Sequence, residues 1–174
     1  MIIIKNKLSR FAILFSLLSF AGVLSACSKD DIQNIQRNIS VEASNANSSS
    51  LPSFDTKSIY LYNVQNNKIS LNVKIANTRE LRELGLMHIK SMPQNDGMLF
   101  VFDESDTHCF WMKNTNIPLS IAFIDDDKKI VDVQDMLPNT ETPHCSAKKA
   151  KYALELNQGW FSRNNMSVGA KLVD

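Results

Sequence analysis

Residues 97–125, GMLFVFDESDTHCFWMKNTNIPLSIAFID, limit the fold most, because they hold three strand-like runs separated by turn chemistry. Gly97–Phe102 is a continuous apolar run, the pattern of a strand covered on both faces and too short for a helix. His108–Lys113 alternates, so His108, Phe110 and Met112 point one way and Cys109, Trp111 and Lys113 the other. Asn114 and Thr115 carry side chains that bond local backbone, and Pro118 drives Ile117 out of the α region. Leu119, Ile121 and Phe123 then share one face of a third run, with Ser120, Ala122 and Ile124 on the other. The acidic segment Asp125-Asp126-Asp127-Lys128 closes it as a hairpin-like turn.

The flanks extend the same pattern. Ile59–Tyr62 and Ile69–Ala76 alternate at period two around Asn66-Asn67, which predicts a hairpin. Asn77 and Glu80 have capping-box spacing and open a short helix that carries Leu81 and Leu84 inward and stops at Gly85. Downstream, Lys129–Met136 alternates, with Ile130, Asp132 and Gln134 opposite Val131 and Val133. Pro138 to Pro143 forms a loop, and Tyr152, Leu154 and Leu156 supply an inward-facing set. Gly159–Met166 reads as a short helical or irregular turn and Val168–Val173 as a closing strand. No internal repeat is present.

Several of these segments, in order and at compatible spacing, resemble the motifs of one family. They are Gly85-Leu86-Met87, Gly97–Phe102, Phe110–Thr115, Ile117-Pro118-Leu119, Ala122–Asp125, Leu154-Glu155-Leu156 and Gly159-Trp160. The family is the uncharacterised ACR family, number 192 of the domain-of-unknown-function series, and the likeness runs over residues 58–174. It implies a mostly β domain, a jelly-roll-like sandwich or distorted barrel with one or two short helices, and no established activity. In such proteins the position of Ser120 is often Asp, so a role for a carboxylate there does not carry over to this chain.

The N-terminus points to export. Lys5, Lys7 and Arg10 precede the apolar run Phe11–Val23, which is short for a membrane span, and Leu24-Ser25-Ala26-Cys27 resembles a lipobox. Cleavage before Cys27 makes residues 1–26 a lipoprotein signal peptide and Cys27 the lipidation site. Several acyl chains at about 0.8 kcal/mol per buried CH₂ make such attachment permanent. Ser28 after the lipidated cysteine resembles lipoproteins sorted to the outer membrane. The expected place is the bacterial cell envelope, facing the periplasm. Residues 27–57, rich in Ser, Asn, Gln and Asp, form a tether of about 30 Å. Residues 58–174 form a single β-rich domain. Losing residues 1–26 removes three basic groups and no acidic ones, so the formal charge moves from +1 to −2. No basic footprint for nucleic acid is left.

Chemistry has few places to reside. The dipeptides His108-Cys109 and His144-Cys145 suggest a zinc or copper site, yet strand neighbours point to opposite faces. A disulfide between Cys109 and Cys145 is the simpler outcome in an oxidising compartment, and it leaves no thiolate for a Cys-His nucleophile. His88 reads as a half-buried structural histidine. Trp111, Lys113, Asn114 and Thr115 make the most site-like cluster, since an aromatic face beside ammonium, amide and hydroxyl donors suits a polar ligand; core packing and turn chemistry explain the same residues equally well. Asp125 and Glu155 form a candidate carboxylate pair, and Trp160 either stacks on a ligand or caps the end of the domain. The methionines fill core more simply than they bind copper. No nucleophile elbow, HExxH or phosphate loop occurs.

The expected function is a lipid-anchored ligand-binding or accessory module. Its partners are the membrane, through the anchor, and a small polar ligand or an envelope protein, with no cofactor. The alternatives are an envelope hydrolase using Asp125 and Glu155, or a metal chaperone using the His-Cys pairs.

Overall fold

The computed structural model describes residues 53–174. The signal peptide, Cys27 and the tether as far as residue 52 lie outside the described residues. Among the described residues no helix is long and apolar enough to cross a membrane.

The alternating runs become strands. β1 (Asp55–Tyr62) and β2 (Lys68–Ala76) form the hairpin, with Ile59 opposite Leu71 and Leu61 opposite Ile69. β1 begins three residues before the expected boundary at 58. α1 (Arg79–Leu84) follows, and its N-cap is Thr78 rather than Asn77: the Thr78 hydroxyl accepts the Leu81 N–H at 3.3 Å. A Thr cap and Gly85 at φ 52° bound a helix of six residues. β3 (Asp96–Asp106) carries the continuous apolar run and is buried on both faces, as that run predicts. β4 is only Cys109–Phe110, far shorter than the alternation of His108–Lys113 predicts. The remaining elements are β5 (Leu119–Ile124), β6 (Ile130–Met136), β7 (His144–Cys145), β8 (Ala150–Asn157), α2 (Trp160–Arg163) and β9 (Lys171–Val173).

Seven strands make one curled sheet in the order β6-β5-β8-β3-β2-β1-β9, and β4 with β7 makes a separate two-stranded ribbon. The domain is therefore mostly β and takes the distorted-barrel form, a curled half-barrel with two short helices. Among the described residues only the β2–β3 pair is parallel, since the α1 crossover returns the chain to the same end of the sheet. The edge strands meet at one end. Ile130 donates to the Ala170 carbonyl and Gly169 to that of Ile130, each at 2.8 Å, and Leu172 donates to Lys128 at 2.8 Å.

Each face of the sheet carries a core. Inside the curl lie Ile59, Leu61, Val73, Leu99, Ala122, Leu154 and Leu156, plugged by Trp160 and Phe161 of α2. Trp160 is thus the end cap, and its indole N–H donates to Asn95 Oδ1 at 3.0 Å. Outside lie Met98, Phe100, Ile121 and Phe123, covered by Phe110 and Met112 of the ribbon segment and by Leu81 and Leu86. Gly97 is obligatory inside β3, because a Cβ there would meet the Glu155 carbonyl of β8 at 2.3 Å.

Candidate functional site

The ribbon organises the outer face. Cys109 lies opposite Cys145, and the two are joined as a disulfide. Phe110 turns inward onto Phe100 and Phe123, with ring centroids 5.0 and 5.7 Å away. Polar contacts fasten the ribbon to β6: Gln134 Nε2 donates to the Cys145 carbonyl at 2.8 Å, its Oε1 lies 3.3 Å from His144 Nδ1, and Asp132 accepts the Ala147 N–H. A bulge between Phe123 and Ile124 sets Asp132 and Gln134 on the outer face while Ile130 turns into the curl. His108 stacks on Phe102 at 3.5 Å, and burial lowers its imidazole from the usual range. His108 packs on Phe102 while His144 reaches Gln134, so the two His-Cys pairs do not converge. Among the described residues no three His, Cys, Asp or Glu side chains gather around a metal-sized space.

The ribbon hands the chain to a turn at which three loops meet. Met112 N–H donates to the Thr140 carbonyl, Asn139 N–H to that of Thr115, and His88 N–H to that of Asn114. Asn114, Asn139 and His88 all have positive φ, a conformation that Asn and His adopt more readily than other side chains. Thr115 is buried, and its hydroxyl donates to the Lys113 carbonyl at 3.4 Å. Asn114 and Thr115 thus shape the turn. His88 is exposed, which corrects the half-buried position expected from its apolar neighbours.

Trp111 and Lys113 are brought together. The Lys113 ammonium lies 5.5 Å from the Trp111 ring centroid and 3.4 Å from Glu141 Oε1. Trp111 is half-buried, and its indole N–H is shut from water with no hydrogen-bond partner among the described residues. The cation stays accessible: a surface ion pair of this kind contributes about 0–1 kcal/mol and yields readily to a ligand anion.

Asp125 and Glu155 are not brought together. Asp125 closes the β5–β6 turn, where its carboxylate accepts the Lys129 N–H at 2.9 Å. Glu155 lies in the outer core opposite Met98 and Ile121, and burial raises its carboxyl above the ordinary range. From Ile121 to Asp125 is four residues of strand, about 13 Å. The two carboxylates therefore do not act on one bond. Sequence reading missed a polar knot at the barrel mouth, where buried Ser120 donates to Asp135 and accepts the Gly159 N–H at 2.8 Å. The run Ser120–Phe123 reads locally as plain core strand, so only the pairing of β5 with β6 reveals it.

No protein of curated function matches the chain at a significant level. A Sinorhizobium meliloti protein named as a candidate transcription regulator has a similar crystal structure, with TM-score 0.69 and 33% identity over 71% of this chain and 96% of that one. A Novosphingobium aromaticivorans protein of unknown function is similar with TM-score 0.65 and 25% identity, over 71% of this chain and 93% of that one. The model of the uncharacterized ACR family, domain of unknown function 192, matches residues 62–173. The motifs on β3, the ribbon, β5 and β8 lie within that span, and the chain belongs to this family.

Proposed function

We propose that the protein is a lipid-anchored component of the bacterial cell envelope, held through Cys27 at the outer membrane and facing the periplasm. Its β domain is a binding or accessory module whose ligand face is Trp111 and Lys113. The observation that carries this reading is the Cys109–Cys145 disulfide. Disulfides persist in exported proteins and are rare in the cytosol. This one also pins the ribbon from which Trp111 and Lys113 project. An indole face beside an accessible ammonium suits a small ligand with a planar or apolar part and an anionic group. Asn114 and Thr115 support the turn that presents them.

The test is expression of the full chain in a two-membrane bacterium, followed by membrane fractionation and intact-mass measurement after alkylation without reduction. The expected result is an acylated protein in the outer-membrane fraction with Cys109 and Cys145 unalkylated, and release from the membrane in Cys27→Ala. A cytoplasmic protein with both thiols alkylated would overturn the reading. For the ligand face, Lys113→Ala should lose binding of envelope extract components while keeping its thermal midpoint. Unchanged binding would remove Lys113 from the site.

A further inference from the structure

Away from Trp111, the outer face of β2 and the loop entering β3 enclose a cavity of about 140 Å³. β2 and β3 run parallel along its floor, with Asn72 beside Asp96 and Lys74 beside Met98. Leu71, Val73 and Leu99 face the inner core, so Asn72, Lys74 and Asp96 all turn outward, into the cavity. Leu86 and Ile89, from the loop after α1, form an apolar wall. Two opposite charges thus line one small space, yet no ion pair joins Lys74 to Asp96 among the described residues. The Lys74 ammonium instead lies 5.6 Å from the Phe54 ring centroid, an aromatic face that orients the cation without neutralising it.

We propose that this cavity binds a small zwitterion of the amino-acid class. The ligand's ammonium pairs with Asp96, its carboxylate pairs with Lys74 and accepts from the Asn72 amide, and a short apolar side chain packs against Leu86 and Ile89. Charge arrangement supplies the selectivity. A simple anion leaves Asp96 uncompensated and repelling, and a simple cation does the same at Lys74. Size supplies the rest: drug-sized ligands occupy about 300–1,000 Å³, so 140 Å³ admits only a few non-hydrogen atoms. Neither Trp111 nor Lys113 lines this cavity, although the loop that carries Leu86 and Ile89 also reaches the Asn114 turn through the His88 N–H.

The experiment is calorimetric titration of the detergent-solubilised full chain with glycine, L-alanine, D-alanine and L-valine, with acetate and methylamine as half-ligands. At least one of the amino acids should bind, and both half-ligands should bind at least about tenfold more weakly, as loss of a charge-assisted contact predicts. Lys74→Met and Asp96→Asn should each weaken binding at least about tenfold, Lys74→Arg should retain it, and the exposed Lys148→Ala, outside the cavity lining, should not change it. Thermal midpoints of the variants report whether any loss is loss of fold. The proposal fails if no amino acid binds at millimolar concentration, if acetate binds as tightly as alanine, or if Lys74→Met leaves binding unchanged.

Discussion

Glu155 has its carboxyl in the outer core, 2% exposed, and burial raises its pKa above 4.5. The folded chain holds a proton there that the unfolded chain releases near pH 4.5, so this group's contribution is complete below that pH and is lost as pH rises toward the folded value. Glu155→Gln keeps the shape and removes the titration. Urea unfolding of the variant should therefore lose part of the downward slope of stability above pH 4.5, whereas an unchanged slope would assign that slope to other groups. His108 acts with the opposite sign: burial lowers it from 6.5, so the unfolded chain binds the proton first and stability falls as pH drops below 6.5. What sequence reveals at this scale is local geometry. Period-two alternation puts Trp111 and Lys113 on one side, and although strand pairing ends at Phe110, the Lys113 ammonium lies 5.5 Å from the Trp111 ring centroid. Asn95 as the partner of the Trp160 indole is 65 residues distant, and no local pattern announces it.

The ribbon is the element that depends most on covalent help. Two facing pairs of residues are too few to hold a two-stranded ribbon by backbone bonds alone. The disulfide closes a separation of 36 residues, which loop entropy values at about 3.8 kcal/mol. The double replacement Cys109→Ser, Cys145→Ser should lower the urea-unfolding free energy by about 2–4 kcal/mol and expose Phe110 to solvent. A loss below about 0.5 kcal/mol would mean that Gln134 and Asp132 hold the ribbon unaided. α1 gives a smaller and more local case. Thr78→Ala removes the acceptor of the Leu81 N–H and should cost about 1 kcal/mol, while Asn77→Ala should cost less. The cap lies one residue from the position that capping-box spacing selects, since both Asn77 and Thr78 are good caps and tertiary contacts choose between them. Arg82 donates to the Asn77 carbonyl at 2.9 Å and to that of Val101 at 2.9 Å, which sets where the helix starts.

The strands of the seven-stranded sheet were readable because each apolar run declares its own period, whereas the ribbon was not: β4 stops at Phe110 and β7 has no run of its own. Closure of the curl depends on which edges meet. Nothing in Lys128–Ile130 or Gly169–Leu172 names the other, since either segment could end as a free edge. In the fold these two segments exchange backbone bonds, and Leu172 packs in the inner core at 1% exposure. The same β9 pairs with Tyr60–Tyr62 of β1, so one short strand ties the first strand of the domain to the sixth. Leu172→Ala should cost about 2–5 kcal/mol, and its effect should be spatially divided. Amide exchange should accelerate together at Ile130, at Tyr60–Tyr62 and at Leu172 itself, while Phe110 and the ribbon, which belong to the outer core, stay near their original protection. Acceleration spread evenly over both cores would show instead that the domain opens only as a whole, and that the two faces of the sheet form one cooperative unit.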